Sequence, residues 1–174
     1  MKKQVIQPIK IVDDFFEAPT IVRHNALKQE FIKQDNEIFP GLRTETIDQI
    51  NPNFFERSLS KLITHVTFKQ HFTFMHSEYQ LVDETNNGRT GELRQIVGDY
   101  NVAGIIFLNP EPVEKSGITF FNEVNDSLVP SVTIENKFNR LVMFNPMHLH
   151  KIEKFIGDTK ETSSLFINFY GVAI

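Results

Sequence analysis

The chain has no cysteine and no tryptophan. Without thiols it can form no disulfide, thiolate zinc site, iron–sulfur cluster or cysteine nucleophile. Any metal would have to be held by His, Asp or Glu. Positive charge is not in excess either: 18 Lys and Arg stand against 22 Asp and Glu, a formal charge of −4. That balance argues against a nucleic-acid binder relying on a broad basic surface. No apolar run approaches the ~18 residues of a membrane span. The start, MKKQVIQPIKIVDDFF, interrupts its apolar stretch with Gln, Pro and Lys, so no signal peptide is expected. A soluble, cytoplasmic protein with no membrane partner is the resulting expectation. There is no GxSxG elbow, GxGxxG loop or GxxxxGK[ST] loop, which sets aside the commonest hydrolase, dinucleotide and phosphate-cradling motifs. Nor does a linker, low-complexity tract or internal repeat divide the 174 residues, so a single domain over 1–174 is expected.

Phenylalanine is abundant, with 17 residues, and its spacing helps to mark the elements. Val5 to Val12 alternates as a strand closed by Asp13-Asp14. Pro19 suits a first helical turn, and Ile21, Val22, Leu27, Phe31 and Ile32 predict a helix over 19–34. Asn51-Pro52 opens a second helix, with Phe54, Phe55, Leu59, Leu62, Ile63 and Val66 on one face. Beyond residue 67 the period becomes two. Strands are predicted over 71–76, 79–82, 102–108, 118–121, 129–134, 141–144 and 165–170, with Asn86-Asn87-Gly88 as a turn. The expected architecture is α+β: a mostly helical layer over 1–66 packed on an antiparallel β-sandwich over 67–174. Phe72, Phe74, Phe107, Phe120, Phe144 and Phe166 fall on predicted strands and would fill its core.

Six histidines are the main chemical resource. His24 and His65 lie in the predicted helices and read as packed or partly exposed rings. His71 and His76 differ by an odd number, so on one regular strand they face opposite sides. His148 and His150 share a face if extended, just after the Asn145-Pro146 turn at a strand end, where sandwiches and barrels commonly host ligands. Asp99 precedes the apolar run Val102–Leu108 and reads either as a turn residue or as a carboxylate at a strand mouth.

The order of segments resembles a known superfamily. Phe39-Pro40-Gly41-Leu42-Arg43 and Ile50-Asn51-Pro52-Asn53-Phe54-Phe55 are followed by Ala103-Gly104-Ile105-Ile106-Phe107-Leu108-Asn109-Pro110. Ser116-Gly117-Ile118-Thr119-Phe120-Phe121 comes next, and Asn139-Arg140-Leu141-Val142-Met143-Phe144 leads to His150. Over roughly residues 9–170 this layout is similar to uncharacterised bacterial and phage members of the Fe(II)/2-oxoglutarate oxygenase superfamily. The resemblance implies a double-stranded β-helix, a jelly roll or cupin-like sandwich with flanking N-terminal helices, in a bacterial or phage-infected cytoplasm. It also implies Fe(II) held by an HxD pair and a distal His, with 2-oxoglutarate as co-substrate. Asp99 matches the carboxylate and His150 the distal His. The first histidine is replaced: the matching tripeptide is Val97-Gly98-Asp99, and sliding by one offers Ile96 and loses Asp99. His76 or His148 could substitute as a ligand. Lys160 stands where a lysine anchor for the far carboxylate of 2-oxoglutarate is expected, though it also reads as a loop lysine beside Gly157-Asp158.

Two functions follow from the resemblance. One is a dioxygenase, a hydroxylase of some unidentified substrate, working through an incomplete triad. The other is a catalytically inactive jelly roll that binds a small molecule or a protein partner. A component assembling through its β edges is a third class, and oligomeric state is not legible in the sequence.

Overall fold

The computed structural model describes residues 8–33, 41–66, 69–84 and 93–174. In chain order its elements are β1 (Lys10–Val12), α1 (Pro19–Leu27), β2 (Ile32–Lys33), β3 (Leu42–Thr46), α2 (Ile47–Ile50) and α3 (Pro52–Leu62). Then follow β4 (Phe72–Val82), β5 (Val102–Phe107), β6 (Ile118–Val124), β7 (Ser127–Ile134), β8 (Leu141–Phe144), β9 (His150–Ile152) and β10 (Ser164–Ala173). The strands form two antiparallel sheets. The major sheet runs β1-β8-β5-β10-β4-β3-β2 and the minor sheet β7-β6-β9. Among the described residues, no helix is long and apolar enough to cross a membrane.

The parity of side chains along β4 and β10 sorts the interior into two layers. Tyr79 and Leu81 of β4, with Leu165, Ile167 and Phe169 of β10, face the helices. There they meet Val22 and Ala26 of α1 and Leu62 of α3. The opposite parity, Val82 and Phe166, faces the minor sheet and packs with Ile118, Phe120 and Ile134. Each fully buried Phe in these layers contributes roughly 1.5–3 kcal/mol. The register that fixes this division pairs Leu165 with Leu81 and Tyr170 with His76. A slip of one residue would exchange the two faces.

Several sequence expectations are met and others are revised. Asn51 caps α3, its Oδ1 accepting the Phe54 N–H at 3.1 Å, and β8 spans Leu141–Phe144 as read from the sequence. The predicted 19–34 helix stops at Leu27, because Ile32 and Lys33 pair with Arg43 and Leu42 of β3 instead. The predicted segments 71–76 and 79–82 are one strand of 11 residues. The stretch 8–66 is not only a helical layer: β1 joins β8, and β2 and β3 extend the far edge of the major sheet. Phe74 is 47% exposed rather than in the core. Val5, Phe39-Pro40 and the Asn86-Asn87-Gly88 turn lie outside the described residues.

Candidate functional site

Even-numbered residues of β4 put polar groups where an apolar core would otherwise continue. His76, Glu78 and Gln80 line a pocket of about 80 Å³ between the two sheets, beside Asn168 and Tyr170 of β10. At ~10–15 Å³ per water-sized sphere, this is room for about five to eight non-hydrogen atoms. Glu78 is 4% exposed, a burial that is costly for a carboxylate without partners. It has two: Arg43 of β3 forms a close ion pair with Oε1, and His76 Nε2 lies 3.2 Å from Oε2. Burial lowers the pKa of the Arg43 guanidinium, with Glu78 opposing that shift. Asn168 donates to the Gln80 side-chain oxygen, closing the polar floor. Tyr170 stacks on His76, centroids 4.8 Å apart and planes at 18°.

The roof comes from the minor sheet and the segment before β5. His150 of β9 is packed against Phe144 and Phe120, with centroids at 4.7 and 5.9 Å. Burial pushes its imidazole down to about 4, so the ring is neutral near pH 7. Its Nδ1 lies 2.8 Å from the His148 carbonyl. A carbonyl can only accept, so Nδ1 carries the proton and Nε2 keeps its lone pair. Arg94 stands directly across from His150 in an antiparallel bridge. The pair exchanges both backbone bonds, Arg94 N–H to His150 O at 2.8 Å and His150 N–H to Arg94 O at 3.1 Å. Residues opposed in this way project to the same side of the sheet, and Arg94, His150 and Ile96 all line the pocket. The Arg94 charge contributes to the lowered pKa of His150.

The residues singled out from the sequence are distributed unevenly around this pocket. His150 lines it. Asp99 is exposed in the bend at 98–99, outside the lining, and Val97 beside it is 79% exposed. The structure therefore does not bring Asp99 together with His150. His148 packs on Phe120 at 5.1 Å, with Nδ1 buried and unpartnered, and it too is outside the lining. Lys160 donates to the Gln29 carbonyl at 2.9 Å and lies over the Phe31 ring, pinning the loop before β10 to the segment after α1. Arg43, Glu78, Gln80 and Arg94 were not among the residues read as functional. The available signal was the polar alternation His76, Glu78, Gln80 in a strand that otherwise reads as core.

A model of a family of unknown function (DUF6445) matches residues 2–127. The chain belongs to the DUF6445 family. No curated protein matches its sequence. Among solved structures it is similar to a Pseudomonas putida prolyl-4-hydroxylase at 14% identity and a TM-score of 0.60, covering 94% of this chain and 91% of that one. It is also similar to a Trichoplax adhaerens prolyl hydroxylase solved with a hypoxia-inducible-factor peptide, at 12% identity and a TM-score of 0.63, covering 94% and 83%. A third is SnoN, a non-heme alpha-ketoglutarate-dependent epimerase from nogalamycin biosynthesis, at 11% identity and a TM-score of 0.60, covering 94% and 77%. At these identities the likeness establishes the fold, that of the 2-oxoglutarate/Fe(II) oxygenases.

The donor set of the pocket can be tested against the iron that this fold carries in such enzymes. Among the described residues, no group of three His, Asp or Glu side chains is placed to hold a metal ion. A non-haem Fe(II) site of the two-His, one-carboxylate kind needs three on one face. Here His150 faces a guanidinium and an isoleucine, and the pocket carboxylate Glu78 is engaged by Arg43 and His76. These residues do not fit the iron centre.

Proposed function

We propose that this protein is a binding protein on a double-stranded β-helix, and that its pocket takes a small carboxylate in place of the iron and 2-oxoglutarate of its structural neighbours. The observation that carries this reading is Arg94 opposite His150, a fixed positive charge where a second metal-binding imidazole would have to stand. An arginine repels a cation and suits a carboxylate, which its planar fork can hold through two parallel hydrogen bonds. A charge-assisted hydrogen bond of this type contributes about 1.5–3 kcal/mol. In this reading Arg94 holds the carboxylate and the neutral His150 ring packs beside it as part of the pocket wall, while Asp99, His148 and Lys160 do not touch it.

Calorimetric titration of the purified protein with pyruvate, malonate and 2-oxoglutarate, each with and without anaerobic Fe(II), tests the proposal. The expected result is metal-independent binding of at least one carboxylate, weakened tenfold or more in Arg94→Ala. Fe(II)-dependent conversion of 2-oxoglutarate to succinate would overturn it, and so would carboxylate binding that needs the metal.

A further inference from the structure

The pocket floor does not end at Tyr170. Four aromatic rings run in a row from the pocket towards solvent along the same face of the major sheet. His76 stacks on Tyr170 at 4.8 Å, Tyr170 meets Tyr100 at 4.7 Å, and Tyr100 stacks on Phe74 at 5.8 Å with planes at 23°. Phe74 has the parity of His76, Glu78 and Gln80 on β4, so it continues the line of pocket residues, and it is the exposed end of the row. The outer two contacts are stacked and the middle one is tilted, with the Tyr170 and Tyr100 planes at 57°. Ring edges carry the positive rim of the aromatic quadrupole, which attracts the π-face of another ring.

Tyr100 is held in place by backbone on both sides. Gly98 has φ 150°, and a Cβ added there would lie 2.4 Å from Tyr100 Cε2, so the bare backbone of Gly98 rests against the ring. On its other side, Asn101 Nδ2 donates to Ala173 O and Asn101 Oδ1 accepts the Ala173 N–H, both at 2.8 Å. The Asn101 N–H also donates to Gly171 O at 3.0 Å. The Val97-Gly98-Asp99 segment thus seats an aromatic ring at the rim of the pocket.

We infer that the ligand carries a planar aromatic ring next to its carboxylate, the carboxylate in the Arg94 pocket and the ring lying on the Tyr170–Tyr100–Phe74 row. This rests on the carboxylate reading above and adds the class of acid, an aryl-substituted one. The row starts in the pocket, where His76 and Tyr170 are part of the lining, and leads out to the exposed Phe74, so a ring next to the carboxylate can follow it outwards.

Titration calorimetry with pyruvate, phenylpyruvate and benzyl alcohol separates the two ideas. Phenylpyruvate should bind about tenfold more tightly than pyruvate, and benzyl alcohol more weakly than either. Tyr100→Ala should bring phenylpyruvate to within about twofold of pyruvate. Phe74→Ala, at a half-exposed position where folding is not at stake, should remove part of the same preference. Equal affinity for pyruvate and phenylpyruvate in the unaltered protein overturns the aryl inference and leaves the carboxylate pocket standing. A preference that survives both substitutions also overturns it. Binding of neither acid overturns both readings.

Discussion

Replacing Arg94 with histidine and Ile96 with aspartate should turn the pocket into a metal site. Arg94 and His150 form a hydrogen-bonded cross-strand pair, in which Cα atoms lie about 5.5 Å apart and side chains share a face. Imidazoles placed there can both reach a metal at about 2.0–2.1 Å. Ile96 lines the same pocket, and an aspartate there supplies the third donor. The gain can be worked out by mass action. A metal present at 100 times its Kd stabilises the folded state by about 2.7 kcal/mol. For a protein of this size each kcal/mol moves Tm by about 2–4 °C, so the double variant should melt about 5–11 °C higher with Co(II) than without it. Visible absorption of bound Co(II) gives a second readout. Val97→His is the control, because that side chain is 79% exposed and outside the pocket lining, and it should show no shift. The reasoning is refuted if Val97→His gains metal as the double variant does, or if the double variant folds normally and Co(II) leaves its Tm unmoved.

Three further outcomes follow from other parts of the molecule. The hydrogen bonds from Arg140 and then Lys137 hold the Asp13 carboxyl well below the usual carboxylate range. Its folded pKa is depressed, so its contribution is present above about pH 4 and lost as pH falls. The pair is partly exposed, so the contribution should stay under about 1 kcal/mol, and urea unfolding at pH 7 and pH 3 should differ less in Asp13→Asn than in the parent. His150 should show an NMR titration midpoint near 4. The unfolded chain takes up that proton nearer the ordinary imidazole value of 6.5, so stability is lost as pH falls from there towards 4, and His150→Asn should flatten that limb. At Gly104 an added Cβ would meet Phe169 Cζ at 2.3 Å and the Val142 carbonyl oxygen at 2.8 Å. Gly104→Ala should therefore cost about 1–3 kcal/mol in denaturant unfolding.

Elements whose cause is local were legible in the sequence. Asn51-Pro52 starts α3 through a side-chain cap and a residue with no N–H to satisfy, and both features are written in two adjacent letters. The β8 stretch Leu141–Phe144 is short, apolar and bounded by turns. The elements that escaped depend on distant partners. Nothing in Leu42-Arg43-Thr44-Glu45-Thr46 reads as apolar alternation, and it is a strand because β4 offers it an edge. Ile32 looked like the tail of a helical stripe because its pairing with Arg43 is a tertiary fact. The site shows the same split. His150 was found through its position after a strand end. Arg94 could be recognised only by the residue it is bridged to, His150 at the edge of the minor sheet, and Asp99 drew attention as a carboxylate although it is exposed in the bend at 98–99.

The alternation along β4 also bears on how such a protein can change. Residues that face the pocket and residues that face the helices occupy the same strands but meet different neighbours. Substitutions on the two faces that share no partner should be close to additive in stability. Pocket chemistry can then drift, with a histidine, a guanidinium or an isoleucine at the same place, while the helix-facing layer continues to hold the molecule together. A scaffold built in this way separates the freedom to acquire a new ligand from the obligation to stay folded.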